Sequence, residues 1–177
     1  MEMTMNVLYI SGSPRKKNSN SDYLLNLARN VTGGEFIKLI NYYIEPCKAC
    51  WGCQKRPTCL IDDDMKNIIT PMLLKVDAIV IGSPVYFNNV SAQLKSFIDR
   101  TWSLKGVLKN KIGGAVVAQA GGDEDALPGH AIDAVAVGVD EVGVERIVVT
   151  LARAGVLAAA VGTHRLLVEI VVAVRAL

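Results

Sequence analysis

Apolar positions along this chain fall into short continuous runs separated by stretches of helical spacing. Asn6 to Ile10 (NVLYI) is an apolar, partly β-branched run ended by Ser11, Gly12, Ser13 and Pro14, the pattern of a buried strand followed by a turn. Ser19 with Asp22 three positions on makes a capping-box-like start. Tyr23, Leu24, Leu27 and Val31 follow at helical spacing until Gly33 and Gly34. Glu35 to Ile40 reads as a second strand. Asp62, Asp63 and Asp64 open a helix at the end where negative charge suits the dipole, and Pro71 kinks or shortens it. Asp77 to Ile81 (DAIVI) is a run of the type buried on both faces, Ser91 caps a helix with Leu94, Phe97, Ile98 and Trp102 on one stripe, and Ile112 to Ala118 is a fourth strand. Farther on, Glu124 to Glu141 reads as helix, Arg146 to Leu151 as strand and Thr163 to Ala176 as helix. Alternating strands and helices predict an α/β fold with a doubly wound parallel sheet, whose ligands bind where the strands end, in the loops after Ile10, Ile81 and Ala118.

The length, 177 residues, suits one domain, residues 1–177, and 51% hydrophobic with 20% charged residues suffices for one core. A net charge of +2 lacks the basic footprint of a nucleic-acid binder. The start, MEMTMN, has neither a basic nor an apolar leader region, and Ala154 to Thr163 is too short to span a bilayer, so a cytoplasmic chain with no membrane partner is expected. The totals conceal a break. Every aromatic, Lys, Cys, Met and Ser lies in the first 120 residues, where 15 basic face 9 acidic residues; residues 121–177 have 4 against 8. The tail is dominated by Val, Ala, Gly, Asp and Glu, which fits either an apolar final layer or a segment outside the ancestral reading frame. Both histidines, His130 and His164, lie there and read as surface or partly packed residues, so function is argued from the first part.

Ser11-Gly12-Ser13-Pro14-Arg15 runs from a strand end to a helix start and offers hydroxyls, backbone N–H groups and a guanidinium, which is the chemistry of an anion site. It contains neither a P-loop nor a G-x-G-x-x-G pattern, so a phosphate monoester fits better than a pyrophosphate. An ordinary turn with a solvated Arg15, Lys16 and Lys17 is the plainer alternative. Ser83 to Asn89 places two aromatic rings and two amides at the next strand end, a mixture suited to a planar heteroaromatic ligand; the alternative is that Tyr86 and Phe87 merely cap the core.

All four cysteines crowd into Cys47, Cys50, Cys53 and Cys59, spaced C-x2-C-x2-C-x5-C. Thiolates at successive x2 intervals suit an iron-sulfur cluster; zinc, which usually takes two pairs farther apart, and free or redox-active thiols stay open. Lys48, Lys55 and Arg56 between them place positive charge near an anionic cluster, or form a solvated basic loop.

The segments SGSPRKKNSNS, CKACWGCQKRPTCLIDDDM and GSPVYFNNVSAQLKSFIDR together resemble the iron-sulfur flavoproteins of anaerobic archaea and bacteria, within the wider NADPH-dependent FMN reductase group. The resemblance runs through about residue 122, and the tail departs from it. It implies a flavodoxin-like fold with a five-stranded parallel sheet, one FMN and one 4Fe-4S cluster per subunit, and a homodimer or homotetramer in which a cluster approaches a neighbour's flavin. By match, Ser11, Ser13, Arg15, Asn18 and Ser19 would hold the phosphate. Pro84, Val85, Tyr86, Phe87, Asn88 and Asn89 would contact ribityl and isoalloxazine, Gly121 and Gly122 would continue the flavin site, and Cys47, Cys50, Cys53 and Cys59 would ligate the cluster.

The expected function is that of a redox flavoprotein: a ferredoxin-like one-electron donor reduces the cluster, which passes electrons to FMN and on to a small oxidant such as oxygen, peroxide or a quinone. No acid-base or nucleophilic side chain is required. The rivals are an NAD(P)H-dependent FMN or quinone reductase with a structural cysteine loop, and a zinc-stabilised binding module without turnover.

Overall fold

The computed structural model describes residues 5–56, 58–120, 132–137 and 148–149. Strand β1 (Val7–Ser11) sends Leu8 and Ile10 to one face of the sheet and Val7 and Tyr9 to the other, and all four are buried. This is the two-sided burial that a continuous apolar run predicts. Strands β2 (Glu35–Lys38), β3 (Ala78–Pro84) and β4 (Ile112–Ala120) join it in the order β2-β1-β3-β4, all parallel, with Tyr9 beside Phe36 on one side and Val80 on the other. The chain thus builds outward from β1 in both directions, and the crevice between the ends of β1 and β3 is the topological switch point where such sheets take ligands.

Helix α1 (Asn20–Thr32) covers the Val7/Tyr9 face. Ser19 caps it as expected, accepting the N–H of Asp22 at 3.1 Å. The buried face is not the one that large apolar residues suggested: Tyr23 and Val31 are exposed, while Ser21 and Leu25 are buried and Ala28 packs partly against the cluster. Small residues let the helix lie close to the sheet, and size wins over hydrophobicity on this face. The opposite face is covered by α2 (Thr70–Lys75) and α3 (Ala92–Arg100), with Leu8, Ile10, Ile37, Leu39, Met65, Ile69, Leu73, Leu94 and Phe97 in one core. Burying each such side chain contributes about 1.5–3 kcal/mol.

Before α2, Met65–Ile69 form a π-helical turn in which Thr70 donates to the Met65 carbonyl through its N–H and, at 2.7 Å, through its hydroxyl. The widened turn accommodates Pro71, which can neither donate nor tolerate a normal preceding turn, so the helix is loosened rather than ended. On α3, Leu94 and Phe97 are buried as expected, but Ile98 and Trp102 face outward and Arg100 is buried instead.

Beyond β4 the sheet departs from five parallel strands. The strand β5 (Ile132–Val137) pairs antiparallel with β4, and β6 (Val148–Val149) pairs antiparallel with β5. Ile132–Val137 falls inside the predicted helix 124–141 and corrects it, because alternating Val and Ala beside an open sheet edge pairs as readily as it coils. The strand expected over Arg146 to Leu151 contains β6, and the helix expected over Thr163 to Ala176 lies outside the described residues. No described helix is long and apolar enough to cross a membrane.

Candidate functional site

Two loops are stitched together at the switch point. Gly12 donates its N–H to the carbonyl of Gly82 at 2.7 Å, and a Cβ at Gly12 would stand 2.7 Å from the Leu94 Cβ, so the loop after β1 approaches α3 as only glycine allows. The Ser91 hydroxyl donates to the Gly12 carbonyl at 2.5 Å and accepts the N–H of Leu94 at 3.2 Å, capping α3 while holding the neighbouring loop. Ser83 Oγ accepts the N–H of Ser91 at 3.2 Å.

Within the loop after β1, Ser11 is fully buried; its hydroxyl donates to Asp22 and accepts the N–H of Ser13 at 3.2 Å. Asp22 in turn pairs with Lys38, so the carboxylate at the α1 N-terminus is neutralised and does not oppose an anion. Ser13 Oγ accepts the N–H of Arg15 at 3.3 Å and keeps its own proton to donate. Asn18 takes the left-handed conformation, and its carbonyl accepts from Arg15 Nη1 at 3.4 Å. Arg15 is exposed.

The loop after β3 is a tight reversal. Val85 donates to the Ala118 carbonyl, and Tyr86 and Asn89 exchange backbone hydrogen bonds of 2.8 and 3.0 Å. Between them Phe87 and Asn88 both have positive φ, 50° and 60°, the conformation of a primed turn that non-glycine residues rarely adopt. Phe87 stands 104% exposed and Tyr86 45%. These rings do not cap the core; they are held outward at a cost in backbone strain. Gly121 and Gly122 lie outside the described residues.

The cysteine loop springs from the same layer at the other end of α3. Its two ends meet: Glu45 donates its N–H to Asp63 at 2.9 Å, Tyr43 donates to Asp64 at 2.7 Å, and Asp64 returns an N–H to the Tyr43 carbonyl. Arg100 locks this junction, donating to both carboxylate oxygens of Asp63 at 2.6 and 2.9 Å and to the Glu45 carbonyl at 2.7 Å, with both side chains of the ion pair fully buried. Burial alone would raise the Asp63 carboxyl, but the Arg100 hydrogen bonds and the N–H groups of Glu45 and Lys66 outweigh it and hold its pKa below the usual value. Burial likewise works against the charge of Arg100. The hydrogen bonds to Asp63 and its carboxylate charge outweigh it and raise the pKa. The three aspartates thus do more than favour a helix dipole. Asp63 was legible as acidic, but its partner Arg100 was missed.

Cys47 and Cys50 are exposed, Cys53 and Cys59 half-buried, and all four are free. Among the described residues no three metal-binding side chains converge as a formed site. Two observations nevertheless suit a bound cluster. Arg100 Nε is a buried nitrogen with no partner among the described residues, and the 52–54 turn that carries Cys53 lies near the 101–104 turn that follows it. The loop also coils through left-handed backbone at Ala49 and Trp51, and Leu60 fills the space where a side chain at Gly52 would be, 2.3 Å from its Cβ position. Lys48 is paired with Glu45, so the uncommitted positive charge expected between the ligands falls to Lys55 and Arg56.

Residues 5–154 match the family described as NADPH-dependent FMN reductase. An iron-sulfur flavoprotein of Methanocaldococcus jannaschii is 41% identical over 70% of this chain and 68% of its own length. Iron-sulfur flavoproteins of Methanosarcina thermophila and Archaeoglobus fulgidus are 38% and 33% identical, over 63% and 66% of this chain and 62% and 56% of their own lengths. The chain therefore spans roughly three fifths of these relatives. Among solved structures, RosB with bound 8-demethyl-8-formylriboflavin-5'-phosphate superposes with a TM-score of 0.51 at 15% identity, covering 66% of this chain and 52% of that one, which supports the fold alone. The parallel sheet with its switch point between β1 and β3 agrees with these likenesses: the chain belongs to the NADPH-dependent FMN reductase family of FMN-dependent oxidoreductases, alongside its iron-sulfur flavoproteins.

Proposed function

We propose that the chain is a redox flavoprotein that accepts single electrons at the cysteine loop from a ferredoxin-like donor and delivers them at the flavin to a small oxidant. The observation that carries this reading is the placement of two distinct seats on one helix. Ser91 at the start of α3 binds the flavin loops together, and Arg100 at its end locks the cysteine loop. They are nine positions apart along the helix, about 13 Å of rise. A bound FMN would supply two-electron storage and a 4Fe-4S cluster one-electron exchange. Cys47, Cys50, Cys53 and Cys59 would hold the cluster; Ser13, Arg15, Asn18 and Ser19 would receive the phosphate; and Pro84 to Asn89 would border the ring. Ser11 serves the same seat from behind by fixing the loop through Asp22.

The chain's own contribution is positioning. The α1 N-terminus and Arg15 fix a dianion, the Tyr86 and Phe87 rings present apolar faces, and the Asn88 and Asn89 amides offer hydrogen bonds to a polar ring edge. The separation of the seats along α3 favours a homo-oligomer in which one subunit's cysteine loop lies near another's flavin. A second reading, an NADPH-dependent FMN or quinone reductase with a structural cysteine loop, is favoured by the family's description. A visible spectrum of protein purified without air, with iron, sulfide, zinc and FMN counted on the same sample, separates them. About four irons and four sulfides with one FMN per chain support the first reading, FMN without iron the second. Colourless protein with zinc defeats both.

A further inference from the structure

Arg100 is a fully buried cation on a helix stripe otherwise occupied by Leu94 and Phe97. Three of its features point the same way. Its Nη atoms engage Asp63 and the Glu45 carbonyl, the residues where the cysteine loop leaves and rejoins the domain, and thereby occupy the outer edge of the guanidinium. Its Nε, on the inner edge, is buried and unpartnered among the described residues. The 52–54 turn of the loop, which contains Cys53, lies near the 101–104 turn that follows Arg100. A charged N–H left unbonded in the interior is costly, so the group calls for an acceptor. The loop packed beside it carries the four free cysteine sulfurs.

We propose that Arg100 is a positioning residue for the cluster: it draws Glu45 and Asp63 together beneath the loop, and its Nε–H donates to a cysteine sulfur of the loop once a cluster is bound. This rests on the reading of the loop as a cluster site. The guanidinium offers two functions at once, because a planar fork can hold a carboxylate with one edge while directing a third N–H elsewhere. A hydrogen bond and a positive charge at a ligand sulfur favour the more negative, reduced cluster, so Arg100 sets the potential upward. Lysine can keep the ion pair with Asp63 but cannot supply both edges.

The test uses the chain purified without air. In Arg100→Lys the iron and sulfide content stays near wild type and the cluster midpoint potential, read by dye-mediated titration with electron paramagnetic resonance, moves lower. In Arg100→Gln, iron and sulfide per FMN fall by more than half while FMN content holds. A wild-type potential in Arg100→Lys overturns the proposal. Where that variant does not fold, the chain carrying Arg56→Lys, which removes the loop's own arginine, is grown on nitrogen-15 arginine and reduced. A nitrogen-15 coupling to the cluster is expected in pulsed resonance, and its absence overturns the proposal. Wild-type protein that contains FMN but neither iron nor sulfide defeats the cluster reading itself, and the role of Arg100 with it, a result distinct from an unmoved potential.

Discussion

The hydroxyl of Ser91 donates to the carbonyl of Gly12, 79 positions away along the chain, while the same oxygen caps α3. One atom therefore sets the start of a helix and the height of the loop after β1. Ser91→Ala removes both contacts and lowers stability by about 1–2 kcal/mol, as loss of a cap does, and weakens FMN binding. Gly12→Ala drives a methyl to within 2.7 Å of the Leu94 Cβ and costs about 1–3 kcal/mol through overpacking. Urea titration reads the stability, and flavin fluorescence reads the binding.

Arg15 and the cysteines separate the two seats. Arg15→Ala removes a charge-assisted contact worth about 1.5–3 kcal/mol, so the FMN dissociation constant rises roughly tenfold or more with folding unaffected. Cys50→Ser leaves FMN content unchanged and removes cluster iron. Retained iron and sulfide in that variant sink the ligand assignment.

Phe87 touches too little protein to support the fold. Phe87→Ala changes the stability of flavin-free protein by less than about 0.5 kcal/mol. It weakens FMN binding by about 0.5–1.5 kcal/mol, the contribution of a ring-on-ring contact. An unchanged dissociation constant removes Phe87 from the flavin site.

The Asp63–Arg100 pair has a pH signature. The Asp63 carboxyl is depressed in the folded chain, so its contribution is fully present above the unfolded carboxyl value near about 3.9 and is lost as pH falls through the folded value. Asp63→Asn strands a buried guanidinium and costs about 3–5 kcal/mol at neutral pH. The gap between wild type and variant in urea titrations of cluster-free protein closes as the pH is lowered below about 4. A gap independent of pH contradicts the pairing.

Local signals were the legible ones. Ser19, Asp22 and Ser91 announced their helices because a cap acts over three residues, and VLYI announced a buried strand because both faces are apolar; AIVI announced its strand too, but only Ala78 of it is buried and Ile79, Val80 and Ile81 are half-buried. The loops at the strand ends followed from the order of elements. Arg100 was not legible: its burial depends on Asp63, 37 positions away, and its neighbours Ile98 and Trp102 made a convincing apolar stripe on the wrong side. The inner face of α1 was misjudged because close helix-sheet approach selects small Ser21 and Ala28 over large Tyr23. The strand Ile132–Val137 was taken for helix because Val and Ala suit either structure until a sheet edge decides.

The junction of Glu45 with Asp63 has an evolutionary consequence. Because the segment between them leaves and returns at one point, its length and content can vary without moving a strand, provided the two ends still meet. It behaves as a removable cassette. A flavin-binding ancestor could acquire or discard a metal-binding insert there in one step, and replacing residues 46–62 with a short turn should leave a chain that still folds and binds FMN.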